Sequence, residues 1–349
     1  MQARIAERQL SGVLAVNPAS WYYLSGFTGE AGALLVSCKG AWLVTDGRFT
    51  SQAEEETSGL RVVRQEESLM GTIGRILRGR SRNRIGFDAT QLTVAQFRAL
   101  RRAAGSRVLW VRADGEVEKG RQCKDLAELA QMRKAALLAG EVLSKAINLL
   151  KPGVREIEVG AEIEYQMRRR GASGPAFKSI VAFGARSAHP HARPTGKRLR
   201  KNELVVLDLG VILAHYCSDI TRTVFVGRAP ARIRRWYSAV QEAQAAAVAA
   251  ARAGINCGDV DAAARGVLAR YRLDQYFVHS TGHGLGLEVH EDPRVARGQK
   301  HVLVPGNVIT VEPGIYVPGV GGIRIEDDIA VHADRTELLT RVPRDLIEI

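Results

Sequence analysis

The sequence predicts an α+β protein in two parts, a smaller α/β domain over residues 1–120 and a larger domain over 121–349. Three observations carry this. The first third alternates short apolar strands with helical stretches. The remainder contains two strand pairs whose apolar runs each end in an acid. A faint repeat links the approaches to those two pairs. At 349 residues the chain also exceeds what one hydrophobic core comfortably holds.

Taken in order, residues 12–16 read as a strand and Asn17-Pro18 as a turn. Residues 33–36 and 41–44 read as a hairpin around Lys39-Gly40. Asp46 is placed to cap a helix over 49–56. Helical spacing recurs over 69–78 and 94–104, and strand composition over 84–88 and 108–112. This part shows no chemistry-bearing set. A linker over 113–121 leads to a long helical pattern from 124 to 150, stopped by Lys151-Pro152-Gly153. The run KPGVREIEVGA at 151–161 then aligns with RAGINCGDVDA at 252–262, each opening a helix ahead of one strand pair.

The first pair is Leu204-Val205-Val206-Leu207 ending in Asp208, with Gly210 breaking it and Asp219 opening the return over 219–226. The second is Val308-Ile309-Thr310-Val311 ending in Glu312, with a glycine-rich loop and a return through Arg324 and Glu326. A buried acid is costly unless something neutralises it, and the incoming strand offers no Lys or Arg. Between the pairs lies HSTGHGLGLEVHE, which places His279, His283 and His290 among small residues. Four strand acids with an imidazole form an oxygen-rich set with a nitrogen donor, suited to divalent Mn, Co or Zn. A dinuclear site is the economical reading.

Composition narrows the class. Apolar residues make up 46% of the chain, which marks it as globular. Cys38, Cys123, Cys217 and Cys257 are widely spaced and read as free thiols of a cytoplasmic protein. Neither a signal peptide nor a stretch of about 20 apolar residues able to span a bilayer is evident. The net charge of +13 invites a nucleic-acid reading. The basic clusters at Arg78, Arg80, Arg82 and Arg84, at 168–170 and at 197–201 lack interleaved aromatics, so a solvated surface and no specific nucleic-acid partner are expected.

These residues resemble the pita-bread metallopeptidases, specifically the Xaa-Pro peptidase branch of aminopeptidase P and prolidase. LDLG, SDITRT, STGHGLGLEVHE, VEPGIY and GIRIED carry the resemblance in the second part. YLSGFTG at 23–29 and DGRFTSQA at 46–53 resemble the family's creatinase-type N-terminal domain. The resemblance implies a pita-bread domain behind a creatinase-type one. It implies Asp208, Asp219, His283, Glu312 and Glu326 as ligands of two divalent ions, with Mn2+ expected and Co2+ or Zn2+ also suitable. Asp219 and Glu326 would bridge the ions, Asp208 would complete one shell, and His283 with Glu312 the other. Glu312 would also shuttle a proton to the leaving proline nitrogen.

By the same resemblance, His191, His279 and His290 would line the cleft and steady the tetrahedral intermediate. His189 is expected at the surface. Arg324 would pair with a ligand carboxylate, Thr221 would donate to one, and Tyr316 would bond nearby. Glycines 282, 284 and 286 would admit close backbone.

The implied activity is hydrolysis of an N-terminal Xaa-Pro bond by a hydroxide on the two metals, in a homodimer whose N-terminal domain walls the cleft. A prolidase must satisfy the free carboxylate of its dipeptide with a cation. The turns at 210–216 and 317–322 carry none, so an aminopeptidase acting on peptides with proline second is expected, with prolidase as the alternative. A reading of another class is a non-catalytic peptide- or RNA-binding protein on the same fold.

Overall fold

The computed structural model describes residues 1–78 and 83–349; Arg80 and Arg82 of the first basic cluster lie outside the described residues. Two compact units separate, Met1–Arg121 and Gln122–Ile349.

The first unit contains α1 (Gln2–Glu7), β1 (Gly12–Ala15), α2 (Pro18–Ser25), β2 (Ala33–Ser37), β3 (Gly40–Thr45), α3 (Thr50–Glu56) and β4 (Arg61–Arg64). It continues with α4 (Leu69–Leu77), β5 (Asn83–Phe87), α5 (Val94–Ala104), β6 (Val108–Arg112) and α6 (Glu118–Arg121). Its strands form one sheet in the order β4-β3-β2-β1-β5-β6. Two local expectations fail for identifiable reasons. Asn17-Pro18 opens a helix instead of a turn, because the Asn17 side chain accepts from Ala19 N at 2.8 Å and proline fits the first helical position. Asp46 caps nothing: its carboxylate folds onto Arg48 N at 2.8 Å and onto the Arg48 guanidinium, and α3 starts from Phe49.

The second unit repeats one plan. Each copy has a long helix, a turn and a 14-residue helix: α7 (Leu126–Asn148) with α8 (Glu156–Arg169), then α9 (Ala231–Ala250) with α10 (Cys257–Arg270). The aligned glycines play the same part. Gly153 and Gly254 have φ of 99° and 88°, and each donates its N–H at 2.8 Å, to Leu199 O and Leu303 O respectively. Side chains rarely tolerate that backbone, which is why glycine recurs there.

The strands of the first copy are β7 (Gly174–Pro175), β8 (Ile180–Phe183), β9 (Leu204–Leu209), β10 (Val211–Leu213), β11 (Tyr216–Cys217) and β12 (Ile220–Phe225). Those of the second are β13 (Gly282–Gly284), β14 (Glu291–Val295), β15 (Val308–Val311), β16 (Gly314–Val317), β17 (Gly321–Arg324), β18 (Asp327–Val331) and β19 (Thr336–Leu338). β20 (Ile347–Glu348) returns to pair in parallel with β12. The main sheets run β20-β12-β9-β8 and β14-β13-β15-β18-β19.

Each helix pair covers its own sheet. Val205, Leu207 and Leu209 of β9 pack with α7 and α8, while Ile309, Val311, Ile329 and Val331 pack with α9 and α10. Because strand side chains alternate, Asp208 is left facing away from the α7–α8 core. In the described residues no helix is long and apolar enough to cross a membrane.

Candidate metal centre

The ladders place the acids. In the first hairpin Asp208 lies opposite Thr221 and the pairing ends at Leu209 with Ile220, so Asp219 stands one residue beyond the last rung. In the second the pairing ends at Val311 with Asp327, which leaves Glu312 and Glu326 one residue beyond, facing each other. Past these points both chains diverge into small secondary hairpins, β10–β11 and β16–β17. Glu326 therefore sits at a break between β17 and β18 instead of within one continuous strand.

His283 reaches the same place from β13, which is wedged between β14 and β15. Glycine is required on both sides of it. A Cβ on Gly282 would stand 1.9 Å from Thr310 O, and one on Gly284 would stand 2.3 Å from Asp292 O. At Gly286 the neighbour is the Glu291 carboxylate, 2.7 Å away, and not backbone.

Asp219, His283 and Glu326 each present one donor atom within 4.8 Å of the others. His283 Nε2 is 3.8 Å from Asp219 Oδ2 and 3.6 Å from Glu312 Oε1. Its Nδ1 lies 3.0 Å from Gly284 O, and a carbonyl can only accept, so the proton sits on Nδ1 and the Nε2 lone pair faces the acids. Burial holds this imidazole neutral, its pKa lowered to about 4.

The acids are poorly compensated. Asp208, Asp219 and Glu326 are buried, and burial followed by mutual repulsion raises Asp219 and Glu326 well above the usual carboxylate range. Glu312 is pushed up to about 8, chiefly by burial. Asp208 is raised less, because Arg324 beside it opposes its burial. Asp208 Oδ1 and Asp219 Oδ1 are buried and accept no hydrogen bond. Orphaned carboxylate oxygens beside an imidazole lone pair fit a divalent cation.

The flanking groups form one hydrogen-bonded chain. Arg324, 3% exposed, donates to Asp208 Oδ2, to Thr221 Oγ1 at 3.1 Å, to Pro190 O at 3.3 Å and to the Tyr316 hydroxyl at 2.6 Å. The cation absent from the incoming strand thus comes from the other hairpin. Thr221 Oγ1 donates to Glu326 Oε2 at 2.5 Å. His279 Nδ1 donates to Ser280 O at 2.8 Å, so its Nε2 accepts from Tyr316 at 2.8 Å. Its pKa is lowered to about 4 by burial first and the Arg324 charge second.

His191 and His290 are exposed rather than buried in the core, and so is His189. The His290 ring lies 4.4 Å from that of His283. Its pKa is lowered first by partial desolvation of the ring and then by the nearby His191.

Sequence reasoning missed the layer behind these residues. Asp328 Oδ2 accepts from Asp219 N at 3.0 Å, and Asp327 pairs with Arg222 at 2.7 Å, both acids buried. Asp261 and Arg265 of α10 grip the segment carrying His279: Arg265 Nη2 donates to His279 O at 2.6 Å and Asp261 Oδ1 accepts from Thr281 Oγ1 at 2.8 Å. The one available signal was the run Glu326-Asp327-Asp328, too acidic for the end of an apolar strand unless each carboxylate has a partner.

Residues 130–333 match metallopeptidase family M24, and residues 1–123 match the creatinase/prolidase N-terminal domain. An Xaa-Pro dipeptidase of Pyrococcus horikoshii is 36% identical over 342 residues, covering 98% of this chain and 95% of the relative. Among solved structures, an Xaa-Pro dipeptidase from Bacillus anthracis superposes with a TM-score of 0.94 at 37% identity, over 99% of this chain and 97% of that one. An X-Pro aminopeptidase from Thermotoga maritima gives a TM-score of 0.89 at 33% identity, over 99% of both chains.

Proposed function

The chain belongs to metallopeptidase family M24 and is a metallo-exopeptidase of the Xaa-Pro kind, and from that premise we propose that it hydrolyses Xaa-Pro dipeptides at a two-metal centre. One observation supports the centre most directly: the carboxylates of Asp219, Glu312 and Glu326 gather about the His283 lone pair, and Asp208 and Asp219 each bury an oxygen that accepts nothing. Asp208, Asp219, His283, Glu312 and Glu326 would hold the ions, with Asp219 and Glu326 shared, and Mn2+, Co2+ or Zn2+ fits the donors. Divalent ions there supply Lewis acidity, which activates water at neutral pH and polarises the scissile carbonyl.

The chain's own residues do the rest. Glu312, 3.6 Å from His283 Nε2, is placed to take a proton from the attacking water at its carboxylate and return it to the departing prolyl nitrogen. The exposed His191 and His290 face substrate and donate to the oxygen on which charge develops. His279, fixed as a neutral ring by Ser280 and Tyr316, holds its hydrogen bonds without taking up the proton.

The dipeptide reading is supported by the two dipeptidases named above and by one cation outside the two turns. Arg294 lies on β14, the strand bonded to that of His283; it is exposed and has no ion-pair partner among the described residues. It is available to pair with the free prolyl carboxylate. The aminopeptidase reading has its own support in the cation-free turns and in the Thermotoga maritima structure. Matched turnover of an Xaa-Pro dipeptide and an Xaa-Pro-Yaa tripeptide decides between them. The dipeptide is expected to have the higher kcat/KM, and Arg294→Ala to erase that preference while sparing the tripeptide. A higher kcat/KM for the tripeptide in the wild type makes the protein an aminopeptidase, with the metal chemistry unchanged.

A further inference from the structure

Arg222 alternates with Thr221 and Thr223 on β12, so it faces away from the acids, towards the α7–α8 side. It is 1% exposed, yet every N–H of its guanidinium is used. Nε donates to Pro343 O at 2.9 Å, and Nη2 to Val342 O and Asp327 Oδ1, both at 2.7 Å. Nη1 donates to two carbonyls at once, Thr221 O at 2.8 Å and Glu326 O at 2.6 Å. Asp327 is satisfied in turn by Thr340 Oγ1 at 2.7 Å and Gln244 Nε2 at 2.8 Å.

The place matters more than the count. β12 belongs to one sheet, and Glu326 joins β17 to β18 in two others. No ladder runs across this seam. It is crossed instead by Glu326 N to Thr221 O at 3.2 Å, by Thr223 Oγ1 with Arg324 N and O at 3.0 Å each, and by the Arg222 fork. Glu326 is thereby held twice from adjacent residues, its carboxylate by Thr221 Oγ1 and its main chain by Arg222.

We infer that Arg222 is a positioning residue of the metal centre: by clamping the carbonyls of Thr221 and Glu326 with one nitrogen, it fixes the gap across which Asp219 and Glu326 share cations. This rests on the metal reading of the site. Lysine cannot replace it, since an ammonium is a point donor without the planar fork that serves five acceptors.

The test uses the full chain and cobalt(II) chloride as the probe, with affinity read by chelator competition, geometry by the visible d–d spectrum, and the metal-free fold by circular dichroism and Tm. Wild type is expected to bind cobalt. Arg222→Lys is expected to keep the metal-free fold, to bind at least ten-fold more weakly and to show a changed d–d band. Arg133→Met, which breaks the Arg133–Glu337 pair elsewhere in the same unit, should lower Tm and leave affinity and spectrum as in wild type. Wild-type affinity and spectrum in Arg222→Lys would overturn the inference, as would a loss of affinity in Arg133→Met in proportion to its Tm. Should Arg222→Lys not fold, Thr340→Val, which only loosens Asp327, carries the test. A measurable loss of cobalt affinity there supports the inference, and an unchanged affinity and spectrum overturns it. A wild type that binds no cobalt would remove the metal reading itself, a different failure from either of these.

Discussion

At the scale of single residues, the centre is a set of acids held where acids do not want to ionise. Glu312 is pushed up to about 8 and Asp219 and Glu326 are raised well above the usual carboxylate range, in each case first by burial. A carboxyl whose folded pKa is raised stabilises the protein at low pH and loses that contribution as pH rises through the folded value. The metal-free protein should therefore lose stability between about pH 4.5, the ordinary value of Glu312, and about pH 8. Cations should reverse the trend, because they bind only the ionised ligands. Titrating Mn2+ into metal-free protein at pH 7 should release protons, seen as a binding heat that varies with the ionisation heat of the buffer. Equal heats in two such buffers would contradict the pairing of raised carboxyls with metal binding. Most of this set was legible in the sequence, since an acid closing an apolar strand, twice, needs an explanation. Arg324 as the partner of Asp208 was legible only as a pairing with some ligand, because its strand breaks before Glu326 and its reach is set by the other hairpin.

At the scale of elements, the two helix-and-hairpin copies explain why the acids converge: Asp208 lies one rung inside the end of the first ladder, and Asp219, Glu312 and Glu326 stand one residue beyond the ends of the two. The repeat was visible through its glycines, whose positive φ no other residue adopts easily. The layer of Arg222, Asp327, Asp328, Asp261 and Arg265 was not, because its partners lie some 80 to 120 residues away in several cases and each residue alone reads as an ordinary surface charge. The links between elements are separable from the centre. Arg133 of α7 donates to both oxygens of Glu337 on β19 at 2.7 and 2.8 Å, and His332 adds a contact at 2.8 Å. These hydrogen bonds, Arg133 first, hold Glu337 down to about 2. A lowered carboxylate pKa contributes stability above the ordinary 4.5 and loses it as pH falls towards 2. Arg133 is part exposed, so Glu337→Gln should cost about 1 kcal/mol at pH 7 after allowing for solvent. Thermal unfolding at pH 7 and at pH 2.5 should show the difference shrinking at the lower pH. A cost that is constant with pH would assign the loss to packing.

At the scale of the whole molecule, the five proposed ligands all fall within Gln122–Ile349, and that unit has its own cores. We expect a fragment of this range to fold and bind cobalt with near wild-type affinity, measured by chelator competition. A folded fragment that binds none would mean that the first unit shapes the centre. The Arg222 fork also has a consequence for how the protein is made. All five ligands have been added to the chain by residue 326, yet the carbonyls of Val342 and Pro343 and the β20 strand that backs β12 come later. A chain that stops short of residue 342 thus has every proposed ligand but lacks the groups that close the seam between the hairpins. With the Arg222 clamp unmade, a chain truncated after residue 341 should bind cobalt more weakly than the full chain, as chelator competition would show.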